Sequence, residues 1–373
     1  MTGAAAEETV ETRARAFARG DPARGQLNAL WRRGTDFLGC EFAIMGGAMT
    51  WVSERNLVAA ISNGGGFGVI ACGSMNAAQL DAEIAATMAL TRHPFGVNLI
   101  TLHPELAALS EVCIRRGVSH IVLAGAIPST EAVRRIKAAG VKLLCFAPAL
   151  PIARKLVRMG ADAIIIEGSE AGGHIGPVST SVLAQEILPN LPQVPVFVAG
   201  GIGRGEAIVS YLEMGAAGTQ LGTRFVCASE SIAHPNFKNA FIRAGARDAV
   251  ASVQLDPRFP VIPVRAIRNQ GTVRFIELQR GVIERFLRGE TDQKAAQLGI
   301  EHFWAGALKR AVIDGDVETG SVMAGQSVGM VTKLQSTRDI LAELITQALS
   351  MLAARDASPT ARAAPMAPIR AEG

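Results

Sequence analysis

The chain has 373 residues, 49% hydrophobic and 19% charged, enough to bury a large core and to exclude disorder as its dominant state. A net charge of +4 without a block of like charges, and an aromatic content of 5%, leave no basic stripe or stacking platform for nucleic acid and no polybasic anchor for a membrane surface. Five scattered cysteines without a C-x-x-C pair argue against a disulfide framework or zinc site and for a reducing, cytoplasmic compartment.

No apolar run reaches the roughly 18 residues of a membrane span. Residues 1–20 lack the apolar centre of a secretory signal and read as part of an N-terminal extension covering residues 1–33. From residue 34 to 227, short β-rich apolar runs alternate with segments of helical period. The predicted strands are 42–45, 67–71, 95–100, 120–124, 142–146, 163–167, 196–199 and 219–222. The predicted helices between them are 56–63, 78–91, 105–116, 129–139, 152–159, 179–188 and 206–214. Strict alternation implies a parallel sheet with right-handed crossovers. Runs such as Ala163-Ile164-Ile165-Ile166 are apolar throughout, as strands covered on both faces are.

Eight such units favour an α/β fold of the closed TIM-type (β/α)8 class over an open doubly wound sheet. The run Gly64-Gly65-Gly66-Phe67-Gly68 precedes a strand instead of following one, so it is not a dinucleotide fingerprint. Residues 228–303, rich in Arg and Asn and without strand alternation, are expected to be a mostly helical insertion over the barrel mouth. Residues 304–354 return through the small-residue loop Gly320-Ser321-Val322-Met323-Ala324-Gly325-Gln326 and end in a helix at 337–352. The Ala/Pro/Arg stretch 355–373 reads as a disordered tail.

In a β/α barrel the chemistry sits at the C-terminal strand ends. The run Glu167-Gly168-Ser169-Glu170-Ala171-Gly172-Gly173-His174-Ile175-Gly176 follows the sixth predicted strand directly. Its glycines let backbone approach a ligand, and His174 can act as a general base or polarising donor near neutral pH. A histidine capping a turn or pairing with Glu170 would account for the same residues. Gly200 and Gly201 end the seventh strand, and Gly222 and Thr223 the eighth, where barrels of this type hold phosphate on backbone N–H groups. Gly46 and Gly47 follow the first strand beside Met45, Met49 and Trp51, which suit either a flat ligand or the core. Asn98 in the third strand can bond a ring edge or a turn. No H-E-x-x-H, G-x-S-x-G or P-loop pattern occurs, so neither metal-assisted hydrolysis nor nucleoside triphosphate chemistry is indicated.

The order and spacing of the 167–176 loop, Ala199-Gly200-Gly201-Ile202 and Gly222-Thr223-Arg224-Phe225 resemble the nitronate monooxygenase (2-nitropropane dioxygenase) family, which includes the flavin-containing enoyl-ACP reductase II, over about residues 34–352. The resemblance implies FMN without a metal and assigns the proton-transfer role to His174. It implies phosphate contacts from Gly200, Gly201, Gly222 and Thr223, and flavin contacts from Gly46, Gly47, Asn98, Glu167 and Gly173. It also implies closure over the flavin by Met323, Ala324 and Gln326. Three activities compete: oxidation of alkyl nitronates with O2, placed first; NAD(P)H-dependent reduction of enoyl thioesters on acyl carrier protein; and NAD(P)H:quinone reduction. Segments 170–176, 233–238, 264–270 and 315–326 look most like the enoyl reductase branch. Met45-Gly46-Gly47-Ala48-Met49-Thr50-Trp51-Val52 departs from that branch's Gln-Gly-Gly-Met-Ala-Trp-Val. A homodimer remains open.

Overall fold

The computed structural model describes residues 18, 20–304 and 306–356. Most of the expected N-terminal extension before residue 20, and the expected tail beyond 356, lie outside the described residues. The strands are β1 (Ile44–Gly46), β2 (Gly68–Ala71), β3 (Phe95–Ile100), β4 (His120–Ala124), β5 (Lys142–Phe146), β6 (Ala163–Glu167), β7 (Gly173–His174), β8 (Val196–Ala199), β9 (Gly218–Leu221), β10 (Ala249–Ala251) and β11 (Val264–Ile267). Eight of them pair in parallel in the order β1-β9-β8-β6-β5-β4-β3-β2. A parallel bridge between Met45 and Phe67 brings β2 back to β1 and closes the ring. The expected (β/α)8 barrel is therefore the observed fold.

Register fixes which residues line the barrel. In a parallel ladder, paired residues point to the same face, so Met45, Gln220, Ala199, Glu167 and Phe146 share the interior with Val122, Leu144, Ile165 and Phe197. The apolar members of this set, with Phe67, Val69 and Ala163, form one core cluster. Alternate residues such as Ile164, Ile166, Val196 and Val198 face outward and pack in the larger cluster beneath the helices.

The N-terminal side of the barrel is closed by the helix Pro22–Leu38. Asp21 caps it, accepting from the Ala23 N–H at 2.8 Å, and Gly39 at φ +71° ends it. Ala23, Leu27, Trp31 and Leu38 are buried, a single apolar stripe. The Phe37 carbonyl accepts from Lys142 Nζ and lies 3.0 Å from His120 Nε2. Burial pushes the His120 pKa down to about 4, so this plug is a neutral ring at physiological pH.

The segment after β9 holds the helices Pro235–Arg243, Gln270–Leu287 and Gln293–His302, the last two packed around Phe259, Phe275, Val282, Ala296 and Ile300. It also holds β10 and β11, where no strand was expected. These pair antiparallel with each other, and β11 pairs with β7, giving a second sheet of order β10-β11-β7. Strands of two to four residues are too short for period-two alternation to show, and their partner lies about 90 residues away in the loop after β6.

Candidate active site

Glycines from four consecutive strand ends form an arc across the barrel mouth. Gly47 N–H donates to the Leu221 carbonyl at 2.8 Å, and a Cβ on Gly47 would stand 3.2 Å from the Gly222 Cα. Gly200 (φ +95°) and Gly201 (φ +71°) take left-handed conformations after β8, and a Cβ on Gly200 would meet Gly168 N at 3.0 Å. Among the described residues, the N–H groups of Gly200, Gly201, Gly222 and Thr223 donate to no protein acceptor. Four unpaired donors on adjacent strand ends are what a phosphate dianion requires. Arg224, 3% exposed, points away from this cup: its Nη1 donates to the Met330 carbonyl at 2.7 Å and Nη2 lies 3.3 Å from Glu343 Oε1.

Gly46 plays a different part from Gly47. Its missing side chain makes room for Ile61, whose Cδ1 would lie 2.6 Å from a Cβ, so it packs in the barrel wall. Of the three large residues near this turn, Met45 is in the barrel core and Met49 borders Gly222. Trp51 is partly buried and adopts φ +69°, alone among the described non-glycine residues. Lys309 Nζ lies 5.3 Å from its ring centroid.

The closing loop crosses the 167–176 loop at two glycines. A Cβ on Gly172 would meet Gly325 N at 2.5 Å, and one on Gly325 would meet the Glu170 carbonyl at 2.8 Å. Gln326 N–H donates to that carbonyl at 2.9 Å and Gly325 N–H to Thr223 Oγ1 at 3.0 Å. Ala324 is buried, while Met323 borders Gly173. The loop is thereby tied to both β6 and β9 ends.

Glu170 does not pair with His174. Its Oε2 accepts from the Thr180 N–H (2.8 Å) and hydroxyl (2.9 Å), a helix N-terminal contact that fixes the loop base. Arg265 adds to this, donating to the Ser169 carbonyl at 2.9 Å and the Ala249 carbonyl at 2.6 Å. Neither Thr180 nor Arg265 carries a sequence signal of its own.

Glu167, Asn98 and Gln220 are the polar side chains that register places inside the upper barrel. Asn98 is 5% exposed, and its Nδ2 is 3.4 Å from the Val122 carbonyl. Sequence reading passed over Gln220, because strand alternation does not say which face is inward until the register is known. Glu167 has no hydrogen-bond or ionic partner among the described residues, and burial alone pushes its pKa up to about 8. It is a neutral acid at pH 7 and can donate a hydrogen bond.

His174 stands on β7, opposite Val264. It is exposed, its imidazole makes no hydrogen bond to the described residues, and partial burial lowers its pKa from the ordinary value. A neutral ring with both nitrogens unengaged by protein is available to take or give a proton.

A family model described as nitronate monooxygenase matches residues 32–347. The chain belongs to the nitronate monooxygenase family. It is an oxidoreductase of that family. One relative, the "(3aS,4S,5R,7aS)-5-hydroxy-7a-methyl-1-oxo-octahydro-1H-indene-4-carboxyl-CoA dehydrogenase" of Mycobacterium tuberculosis, is 30% identical over 346 residues, covering 85% of this chain and 96% of the relative. A Staphylococcus aureus relative named "Probable nitronate monooxygenase" is 28% identical, covering 75% and 93%. The solved structure of FabK from Thermotoga maritima matches with a TM-score of 0.78 and 33% identity, covering 87% of this chain and 98% of that one.

Proposed function

We propose that this member of the family is an FMN-dependent oxidoreductase in which His174 moves a proton at a substrate carbon activated by an adjacent carbonyl. The observation that carries this reading is the juxtaposition of an unbonded imidazole with four unpaired backbone donors at one barrel mouth. Gly200, Gly201, Gly222 and Thr223 would hold the FMN phosphate; Gly47, Asn98 and Glu167 would face its ring. When bound, FMN supplies the two-electron chemistry that side chains lack. His174 protonates the carbon next to the carbonyl in the reductive direction and removes that proton in reverse. Glu167, kept neutral, donates a hydrogen bond into the mouth, and the closing loop from Met323 to Gln326 excludes water.

The substrate class we infer is an acyl thioester, on coenzyme A or on acyl carrier protein, with NAD(P)H as donor. Support comes from the relative named as a CoA dehydrogenase, whose match extends over 85% of this chain against 75% for the S. aureus relative. Oxidation of alkyl nitronates with O2 is the second reading, supported by the family's name. Five unpaired cysteines fit a cytoplasmic enzyme. Among the described residues no helix is long and apolar enough to cross a membrane.

The test is a parallel assay of the purified yellow protein. NAD(P)H consumption that depends on crotonyl-CoA or crotonyl-ACP supports the thioester reading. O2 uptake with propyl-2-nitronate and no thioester-dependent oxidation of NAD(P)H installs the second reading in its place, and NAD(P)H oxidation driven by a quinone alone displaces both. A colourless protein that refuses added FMN sinks the whole assignment.

A further inference from the structure

We propose that one face of the small sheet seats the apolar arm of the substrate, with Ile262 and Val264 selecting for long acyl groups. The proposal rests on the thioester reading above. In antiparallel strands, residues directly opposite each other share a face. Val264 is opposite His174, Ala266 is opposite Val250 and bridges Met323. Ile262, two residues before Val264, continues the same face by alternation. Ile262, Val264 and Ala266 thus form one apolar row beside the imidazole, with Met323 at its inner end.

The two faces of this sheet differ in burial. On the other face Ala249 is 1% exposed and Ile267 packs against the core, while Arg265 is spent on the Ser169 and Ala249 carbonyls. On the His174 face, Val250, Val264 and Ala266 are only half-buried and Ile262 is 69% exposed; none of the four belongs to a core cluster. A single exposed isoleucine is ordinary, but an apolar row adjoining the proton-transfer group is a contact surface.

Ile262 is held out by a rigid frame. Ser252 N–H donates to the Val264 carbonyl at 2.8 Å, and Val264 N–H returns to Ser252 Oγ at 2.9 Å. Gln254 Oε1 accepts from Val261 N–H at 3.0 Å. Gln279, 1% exposed, grips the same loop through Leu255 N–H (3.1 Å) and the Val253 carbonyl (2.9 Å). Ile175 N–H donates to the Pro263 carbonyl at 3.0 Å, so the ladder extends past His174. At the rise of an extended chain, Ile262 lies about 7 Å beyond Val264 along the strand. An acyl group reacting beside His174 would lay its next several carbons on this row. A nitronate of a few carbons would leave the row bare.

The experiment is isothermal titration of the flavin-loaded full chain with butyryl-CoA and decanoyl-CoA. Wild type is expected to bind decanoyl-CoA at least about tenfold tighter, and Ile262→Ser to lose about tenfold for decanoyl-CoA with butyryl-CoA unchanged. Val253→Ser, at a residue 48% exposed but on the opposite face by alternation, is the control and should change neither. Equal affinity of wild type for the two esters, no binding of either, equal losses for both in Ile262→Ser, or an effect of Val253→Ser as large as that of Ile262→Ser would each overturn the proposal. Crotonyl-CoA turnover reports separately on the reaction. Chain-length-dependent binding without any thioester turnover would leave this surface standing and remove the proposed chemistry.

Discussion

Glu167→Gln isolates the energetic consequence of placing a carboxyl group inside the barrel. Burial moves its pKa from 4.5 to about 8 with no compensating partner. At about 1.36 kcal/mol per unit, ionising it in the folded state carries a penalty of up to about 5 kcal/mol. The sign follows from proton counts. Between pH 4.5 and 8 the unfolded chain has lost this proton and the folded chain retains it. Stability from this group is therefore full below pH 4.5 and falls as pH rises towards 8. Glutamine keeps the shape and a donor and cannot ionise. Urea unfolding at intervals from pH 5 to 9 should show wild type falling relative to the variant by about 4 kcal/mol, most of it below pH 8, and then running parallel. Curves parallel across the whole range would refute a neutral, unpartnered Glu167.

His174→Ala should retain bound flavin and lose roughly 2–4 orders of magnitude in turnover, read by stopped-flow reduction and steady-state rates; unchanged turnover removes the residue from the chemistry. Because the His174 pKa is lowered, proton removal, which needs the neutral ring, should stay on its plateau below the ordinary imidazole pKa, while the reductive rate, which needs the protonated ring, should rise as pH falls through that range. Gly222→Asp sets a carboxylate beside the unpaired Gly222 and Thr223 donors and against Met49, and should expel FMN, as absorbance after gel filtration would report. Gly172→Ala places a Cβ 2.5 Å from Gly325 N, where backbone must move; a melting temperature within a degree of wild type would show that the loops do not cross as described.

The eight barrel strands were legible because parallel strands covered on both faces are continuous apolar runs; β3, β4, β5, β6 and β8 fall on their predicted residues, and β1, β2 and β9 differ from theirs by one or two positions at an end. Three features lay beyond sequence pattern. The inward face of Gly218-Thr219-Gln220-Leu221 depends on register with β8 and β1, so Gln220 was hidden. Whether Glu170 meets His174 or a helix N-terminus depends on where Thr180 folds back. The β10-β11-β7 sheet depends on pairing between distant segments of two to four residues, where neither periodicity nor propensity accumulates.

That unexpected sheet alters how the site divides its labour. The glycine arc is built from β1, β6, β8 and β9 ends, whose positions the barrel alone determines. His174 leaves the barrel wall and is placed by β11, which the segment after β9 supplies. Met323 is placed by the same strand through Ala266. The segment after β9 therefore positions the backbone of His174 and presents the surface next to it. Substitutions in the barrel turns should act on cofactor retention, and substitutions along β11 on proton transfer and substrate choice. The two groups of residues meet where Gly172 and Gly325 cross, at the base of the loop that carries His174.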